Sequence, residues 1–263
     1  MVDTFKPDRV FHLAAQAGVR IPLRQPENYI SSNLVGHANI QIACFNAQIP
    51  DFLYASSSSV YGAKSRIPFK ESESEVFPTS FYGTTKLVDE IISGAITRNS
   101  LSRSRGLRFF TVYGPWGRPD MAYFQIISAG ILGNNFKLFG DGQVLRDFTY
   151  ITDIVNGICL LADNLSSQNP GFSDVVNIGG GKPESILSLF NSICEILGKR
   201  IETQILDSNK LDLPVTQASY SYLESLTGFV PQIHLKHGLS QVINWALHDI
   251  RHDQLERWAS FNI

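Results

Sequence analysis

Short apolar runs alternate with longer stretches of helical periodicity in this chain, and that alternation leaves it few folds. Residues 9–14 read as a buried strand, and 26–47 as a helix with apolar residues at Ile30, Leu34, Ile40 and Ala43. Residues 51–56 form the next strand, closing in a run of serines. Residues 79–96 are a long helix, and 106–113 a third strand followed by a Gly/Pro loop. Strands separated by helices pair in parallel through right-handed crossovers, which bring every strand's C-terminal end to one side. Ligands of open α/β sheets bind on that side. The serines after Tyr54, Thr111 and the loop 114–119 fall there by topology alone.

Past Pro115 the pattern loosens. Residues 123–132 read as a helix, 137–139 and 146–150 as short strands around Gly140-Asp-Gly142, 151–165 as a helix and 174–178 as a strand. Residues 185–197 and 235–248 are amphipathic helices. The basic stretch 100–106 is expected to be a solvated connection.

The composition narrows the class. The 263 residues suffice for a large core or two unequal lobes. A net charge of -2 excludes the basic face of a nucleic-acid binder. With 43% hydrophobic and 17% charged residues, the chain is not disordered. No apolar run is long enough to span a membrane, and no secretory signal opens the chain. The three cysteines, Cys44, Cys159 and Cys194, lie alone in apolar helical patterns, which predicts reduced, buried thiols and a cytoplasmic protein. His234 with His237 and His248 with His252 lack a third grouped ligand, so they read as solvated helix faces and not as a metal site.

The chemistry concentrates at Tyr82-Gly-Thr-Thr-Lys86. Four residues apart on a helix, Tyr82 and Lys86 share one face. A phenol titrates near pH 10, and a neighbouring ammonium favours its ionised form. Such a pair suits a general base that takes a proton from a sugar hydroxyl. The upstream run Tyr54-Ala-Ser-Ser-Ser-Ser-Val-Tyr61-Gly62 offers a hydroxyl to hold the substrate oxygen. A second Gly-rich turn, Ile178-Gly-Gly-Gly-Lys-Pro-Glu184, is a poor phosphate cradle, because an acidic residue stands where a G-x-G-x-x-G pattern needs glycine.

Five segments occur in order: Val10-Phe-His-Leu-Ala-Ala-Gln-Ala-Gly-Val-Arg20, the serine run, Tyr82 to Lys86, Arg108-Phe-Phe-Thr-Val-Tyr-Gly-Pro-Trp-Gly-Arg-Pro-Asp-Met121 and Arg146-Asp-Phe-Thr-Tyr150. Over residues 8–248 the chain resembles the extended short-chain dehydrogenase/reductase family of NAD-dependent nucleotide-sugar epimerases and dehydratases, and is most similar to UDP-glucuronate 4-epimerases. The resemblance implies an α/β fold: a Rossmann-like parallel sheet and a smaller, C-terminal substrate-binding lobe. It assigns 1–115 to the NAD-binding domain, with 151–180 returning to its sheet, and 116–150 and 181–263 to the lobe. The family's N-terminal strands and Gly-rich turn have no counterpart, so roughly 65 to 75 residues of a complete member are expected to be missing. Residues 10–13 should then form an apolar sheet edge that another chain covers, unless the chain is a fragment.

The same resemblance implies NAD as cofactor and catalytic roles for Ser57, Tyr82 and Lys86, with Ser58 an alternative to Ser57. Leu13, Ala14, Ala15, Ser32, Ser56, Phe110 and Val112, with Tyr82 and Lys86, fall where family members touch NAD. Ser57, Ser58, Thr111, Arg118 and Arg146 fall where they touch a UDP-sugar, with Arg20 a weaker candidate. Arg146 matches a diphosphate-binding arginine, a role suited to a bidentate guanidinium. Arg118 or Thr111 would face a sugar carboxylate. The implied reaction is 4-epimerisation by transient oxidation at C4. A dehydratase or decarboxylase needs an acid beside the strand end, where this chain has Ser58 and Ser59. The rival reading is an inactive remnant that acts at most as a binding module. Thr152 and Ser219 depart from usually acidic positions. A homodimer, no nucleic acid and no membrane complete the expectation.

Overall fold

The structure, a computed structural model, describes residues 2–19, 26–207 and 213–260. From the N-terminus the elements are α1 (Val2–Phe5), β1 (Arg9–His12) and α2 (Glu27–Tyr29), which runs through a π-helical segment at Ile30–Gly36 into α3 (His37–Asn46). β2 (Asp51–Ser57) ends in a 3₁₀ turn at Ser58–Val60, and α4 (Phe81–Arg98) leads to β3 (Arg103–Phe109). Then come β4 (Thr111–Tyr113), α5 (Ala122–Leu132), β5 (Phe136–Phe139), β6 (Leu145–Tyr150) and α6 (Ile151–Ser166). β7 (Ser173–Ile178), β8 (Pro183–Ser185), α7 (Ile186–Leu197) and β9 (Thr203–Leu206) precede α8 (Ser221–Thr227), α9 (Leu235–His248) and α10 (His252–Ala259). Two compact units divide these elements. One takes Met1–Phe110, Val155–Ile178 and Ala218–Val230; the other takes Thr111–Ile154, Gly179–Gln217 and Pro231–Ile263.

The first unit is built on a four-stranded, all-parallel sheet of order β1-β2-β3-β7. β2 is buried along nearly its whole length, as a parallel strand covered on both faces must be. β1 is the end strand of this order, and Phe11 and Leu13 are exposed beside it. α4 starts where Ser80 accepts a hydrogen bond from the Gly83 amide at 3.0 Å, a side-chain N-cap.

Two sequence expectations change here. Residues 103–106 are not a solvated connection: they open β3, in register with β2 and β7. Arg105 is fully buried and donates to both carboxylate oxygens of Asp174 at 2.7 and 2.9 Å, and to the Leu161 carbonyl at 2.9 Å. Its basic neighbourhood looked solvated only because the neutralising acid lies far along the chain. The strand expected at 106–113 also breaks at Phe110. β3 stays between β2 and β7, whereas Thr111–Tyr113 pairs with β6 in another sheet.

The second unit joins a three-stranded sheet of order β4-β6-β8 to a β5-β9 ribbon. β4 and β6 are parallel, β6 and β8 antiparallel, and β5 and β9 parallel. The two short strands flanking Gly140-Asp-Gly142 therefore each pair with a different strand, not with one another. The core gathers Tyr113, Tyr123, Phe124, Leu189, Leu239 and Trp245 from strand and helices. A Cβ at Gly238 of α9 would overlap the Tyr113 hydroxyl, so this contact requires glycine. The thiols are not uniformly buried: Cys44 is, Cys194 is half-buried and Cys159 is exposed on α6. Among the described residues no helix is long and apolar enough to cross a membrane.

Arg105→Met strands the Asp174 carboxylate, and urea unfolding should show a loss of about 3–5 kcal/mol, with much of it restored in Arg105→Met/Asp174→Asn. Gly238→Ala should cost about 1–3 kcal/mol by forcing a methyl group against Tyr113.

Candidate functional site

In the first unit the site grows from the C-terminal end of β2. Ser57 is extended, at φ -155° and ψ 148°, and its side chain accepts the Ser59 amide at 3.2 Å, starting the 3₁₀ turn. Ser57 is buried and Ser58 half-buried. The first turn of α4 lies directly on this turn. A Cβ at Gly83 would overlap the Ser59 carbonyl oxygen, so glycine beside Tyr82 lets the helix start approach the serines. Tyr82 is half-buried, and its ring meets Tyr29 edge-on at 6.4 Å. Tyr29 is itself held by a 2.7 Å hydrogen bond to the Gly18 carbonyl.

Lys86 follows on the same helix, buried, with its ammonium 3.1 Å from a carboxylate oxygen of Asp89. The sequence reading passed over Asp89. Burial pushes its carboxyl up to about 6, with Lys86 pulling downward and Glu90 adding to the rise. His12 is lowered by burial and by the Lys86 charge. Burial, then His12 and Lys86, lower His37 to about 3. At neutral pH both imidazoles are therefore neutral.

A second buried network fixes the serines. Ser56 donates to Glu90, and Arg108 of β3 donates to both Glu90 oxygens at 2.9 and 2.8 Å. The Arg108 guanidinium lies 4.8 Å from the centre of the Tyr61 ring. The Tyr61 hydroxyl donates to Asn177 at 2.7 Å, Asn177 donates to the Phe69 carbonyl at 2.9 Å, and the Asn177 amide donates to Glu71 at 2.8 Å. Sequence reasoning missed Glu90, Arg108 and Asn177. Glu90 had a visible signal, since it lies four residues past Lys86 on the same face.

The loop after β1 is pinned by Asn33, also missed. Asn33 accepts the Gln16 amide at 2.8 Å and donates to the Gln16 carbonyl at 3.1 Å and to Thr85 at 3.0 Å. The loop carrying Leu13, Ala14 and Ala15 is thereby tied to the helix of Tyr82 and Lys86. Leu13 is 48% exposed and Ala14 is exposed, an apolar strand-end surface with small side chains. Such a surface suits the flat ring of a dinucleotide, and the nearby ammonium and hydroxyls suit its sugar; the donor set fits NAD. Ser32 is exposed on the π-helical segment, and Phe110 is buried at the end of β3. Arg20 lies outside the described residues.

The remaining candidates belong to the second unit. Thr111 and Val112 are half-buried in β4, where Thr111 pairs with Phe148. Arg118 is partly exposed, and its guanidinium grips both oxygens of Asp120, one at 2.9 Å. Arg146 is half-buried and donates to the carbonyls of Leu145 and Leu213 at 2.9 and 2.7 Å. The Gly-rich turn set aside on sequence has its amides spent internally. Gly180 and Gly181 donate to the Asp147 carboxylate at 3.0 and 2.9 Å. A short strand, β8, also intervenes before the helix that follows.

Known proteins resemble this chain over most of its length. The model of the NAD dependent epimerase/dehydratase family matches residues 1–179. A probable UDP-glucuronate 4-epimerase of Rhizobium meliloti is 36% identical over 256 residues, covering 91% of this chain and 74% of the relative. UDP-glucuronate 4-epimerase 4 of Arabidopsis thaliana is 37% identical, covering 90% of this chain and 57% of the relative. Among solved structures, the UDP-glucuronic acid 4-epimerase of Bacillus cereus in complex with UDP-glucuronic acid and NAD superposes with a TM-score of 0.87 at 31% identity, covering 95% of this chain and 79% of that one. MoeE5 in complex with UDP-glucuronic acid and NAD gives 0.86 at 33% identity, covering 93% and 81%. With its parallel sheet, its serine-ended strand and its Tyr82 helix, this chain belongs to the NAD dependent epimerase/dehydratase family.

Proposed function

We propose that this chain is an NAD-dependent nucleotide-sugar 4-epimerase that interconverts UDP-glucuronate and UDP-galacturonate. The observation that carries the reading is the glycine-enforced contact between the start of α4, bearing Tyr82, and the turn that follows Ser57. This contact sets the helix turn that carries Tyr82 against the turn after Ser57, which supports the reading in a chain whose relatives include UDP-glucuronate 4-epimerases.

NAD, when bound, supplies a reversible acceptor for the hydride at C4. The first unit would hold it, through Leu13, Ala14, Ala15, Ser32, Ser56, Phe110 and Lys86. Ser57 holds the sugar O4, with Ser58 beside it. Tyr82 takes the proton from O4 and returns it once the other face of the sugar is presented. Lys86 favours the ionised phenol by its charge. The positions after Ser57, where a dehydratase carries an acid pair, hold Ser58 and Ser59, which cannot protonate a leaving hydroxyl. That argues for inversion over elimination.

The second unit would bind the nucleotide sugar. Arg146, half-buried and bonded to the Leu145 and Leu213 carbonyls, is the guanidinium assigned to the diphosphate. Arg118 is matched by Asp120, so Thr111 is the better partner for the sugar carboxylate. A cytoplasmic homodimer goes with this reading.

The purified chain, given NAD and UDP-glucuronate, should form UDP-galacturonate, followed by chromatography of the two sugars. Tyr82→Phe should lose about 10²–10⁴-fold in kcat, with UDP-sugar affinity little changed. If Tyr82→Phe interconverts the sugars at the wild-type rate, the proton is handled elsewhere. Arg146→Met should raise KM more than it lowers kcat, since the arginine binds substrate and transition state alike.

A further inference from the structure

Lys86 has an anionic partner that a general base of this kind does not need. Its ammonium is 2% exposed and lies 3.1 Å from Asp89, which is fully buried. The second Asp89 oxygen is buried with no hydrogen-bond partner. A carboxylate held with half its acceptors unmet is costly. One oxygen on one ammonium is therefore a poorly satisfied pair, unlike the fully bidentate Glu90–Arg108 pair one residue on.

We infer that Asp89 is a positioning residue that holds the Lys86 ammonium in a competing ion pair, and that protonation of Asp89 releases this ammonium toward Tyr82 and the cofactor. The inference rests on the proposed roles of Tyr82 and Lys86. Geometry supports it first: both partners stand on α4 three residues apart and are buried together at 3.1 Å. The carboxyl then titrates at about 6, because burial outweighs the pull of Lys86.

Other titratable groups among the described residues lie around the pair. On α4, Glu90 is locked to Arg108 and Ser56. From β2, Tyr54 is a phenol whose pKa is raised well above the ordinary value, chiefly by burial. From α3, His37 is lowered to about 3. From β1, His12 is lowered as well, by burial and by Lys86. The sign follows from the raised value. The folded chain binds the Asp89 proton more tightly than the unfolded chain, so stability falls as pH rises from about 4 to about 6. Removing Lys86 should extend that fall to higher pH, because the carboxylate then lacks its counter-charge.

Two measurements test this. The first needs no catalysis: a double-mutant cycle of Lys86→Met and Asp89→Asn, read by thermal unfolding at pH 7.5 and pH 5. The single variants should be non-additive by about 4 °C at pH 7.5, with the non-additivity largely gone at pH 5. Additive losses at both pH values overturn the pairing. If Lys86→Met fails to fold at pH 7.5, its recovery at pH 5 or with Asp89→Asn reports the same coupling, and failure in both overturns it. The second is the pH profile of kcat/KM with NAD and UDP-glucuronate. Asp89→Asn should move the acid limb down by about one pH unit, since Lys86 then acts on Tyr82 undiluted. An unmoved limb in an active Asp89→Asn enzyme overturns the release. A wild-type chain with no activity refutes the epimerase reading, while the cycle still decides whether Asp89 holds Lys86.

Discussion

The ion pair between Glu90 and Arg108 is the interaction on which the first unit's architecture turns. Both side chains are buried, with exposures of 8% and 5%. Taking two charges out of water costs several kcal/mol for each ion, and only near-complete hydrogen bonding offsets that. The geometry meets most of the requirement: a two-toothed guanidinium contact, a hydroxyl from Ser56 and the face of the Tyr61 ring, with only Arg108 Nη1 of this guanidinium left without a hydrogen-bond partner. The pair joins β3, α4 and the end of β2 at one point. Since parallel strands end together, fixing that point fixes where the serines sit relative to the helix of Tyr82.

Directional polar contacts continue along α4. Its interface with the neighbouring helical segment is built of hydrogen bonds more than of apolar contacts. Asn33 bonds Thr85, the His37 ring bonds Ser93 at 2.8 Å, and Gln41 donates to Thr97 at 3.3 Å. Apolar surfaces slide past each other at little cost, whereas a buried hydrogen-bond ladder has one register in which it is satisfied. The cost of that precision is visible in Asp89 Oδ1, buried with no hydrogen-bond partner.

The second unit follows a different logic. Its core is aromatic and aliphatic, with Tyr113 touching Tyr123, Phe148 and Tyr150. Its polar groups serve mainly to close turns: Asp147 receives the Gly180 and Gly181 amides, and Asp153 receives those of Gln232 and Ile233, both at 2.8 Å. Arg118 is neutralised by Asp120 two residues on. Charge in this unit serves local shape, and Arg146 likewise donates to the backbone carbonyls of Leu145 and Leu213.

The sequence by itself determined the main alternation of strands and helices through residue 178, the amphipathic helices 185–197 and 235–248, and the helical face that carries Tyr82 and Lys86. It did so because hydrophobic period and helix spacing are local properties: the helix 235–248 and the strand ending in the serines lie where periodicity placed them. Tertiary structure alone decided that 103–106 is a strand, that the chain changes sheets at Phe110 and that Lys86 faces a carboxylate. Each of these depends on groups brought together by folding. Arg105 is buried only because Asp174 meets it across the sheet, β4 leaves the first sheet because β6 offers it hydrogen bonds, and the Asp89 carboxyl is displaced upward because the surrounding elements exclude water. Local pattern names the elements; the cost of burying an unmatched charge or an unpaired strand chooses their partners.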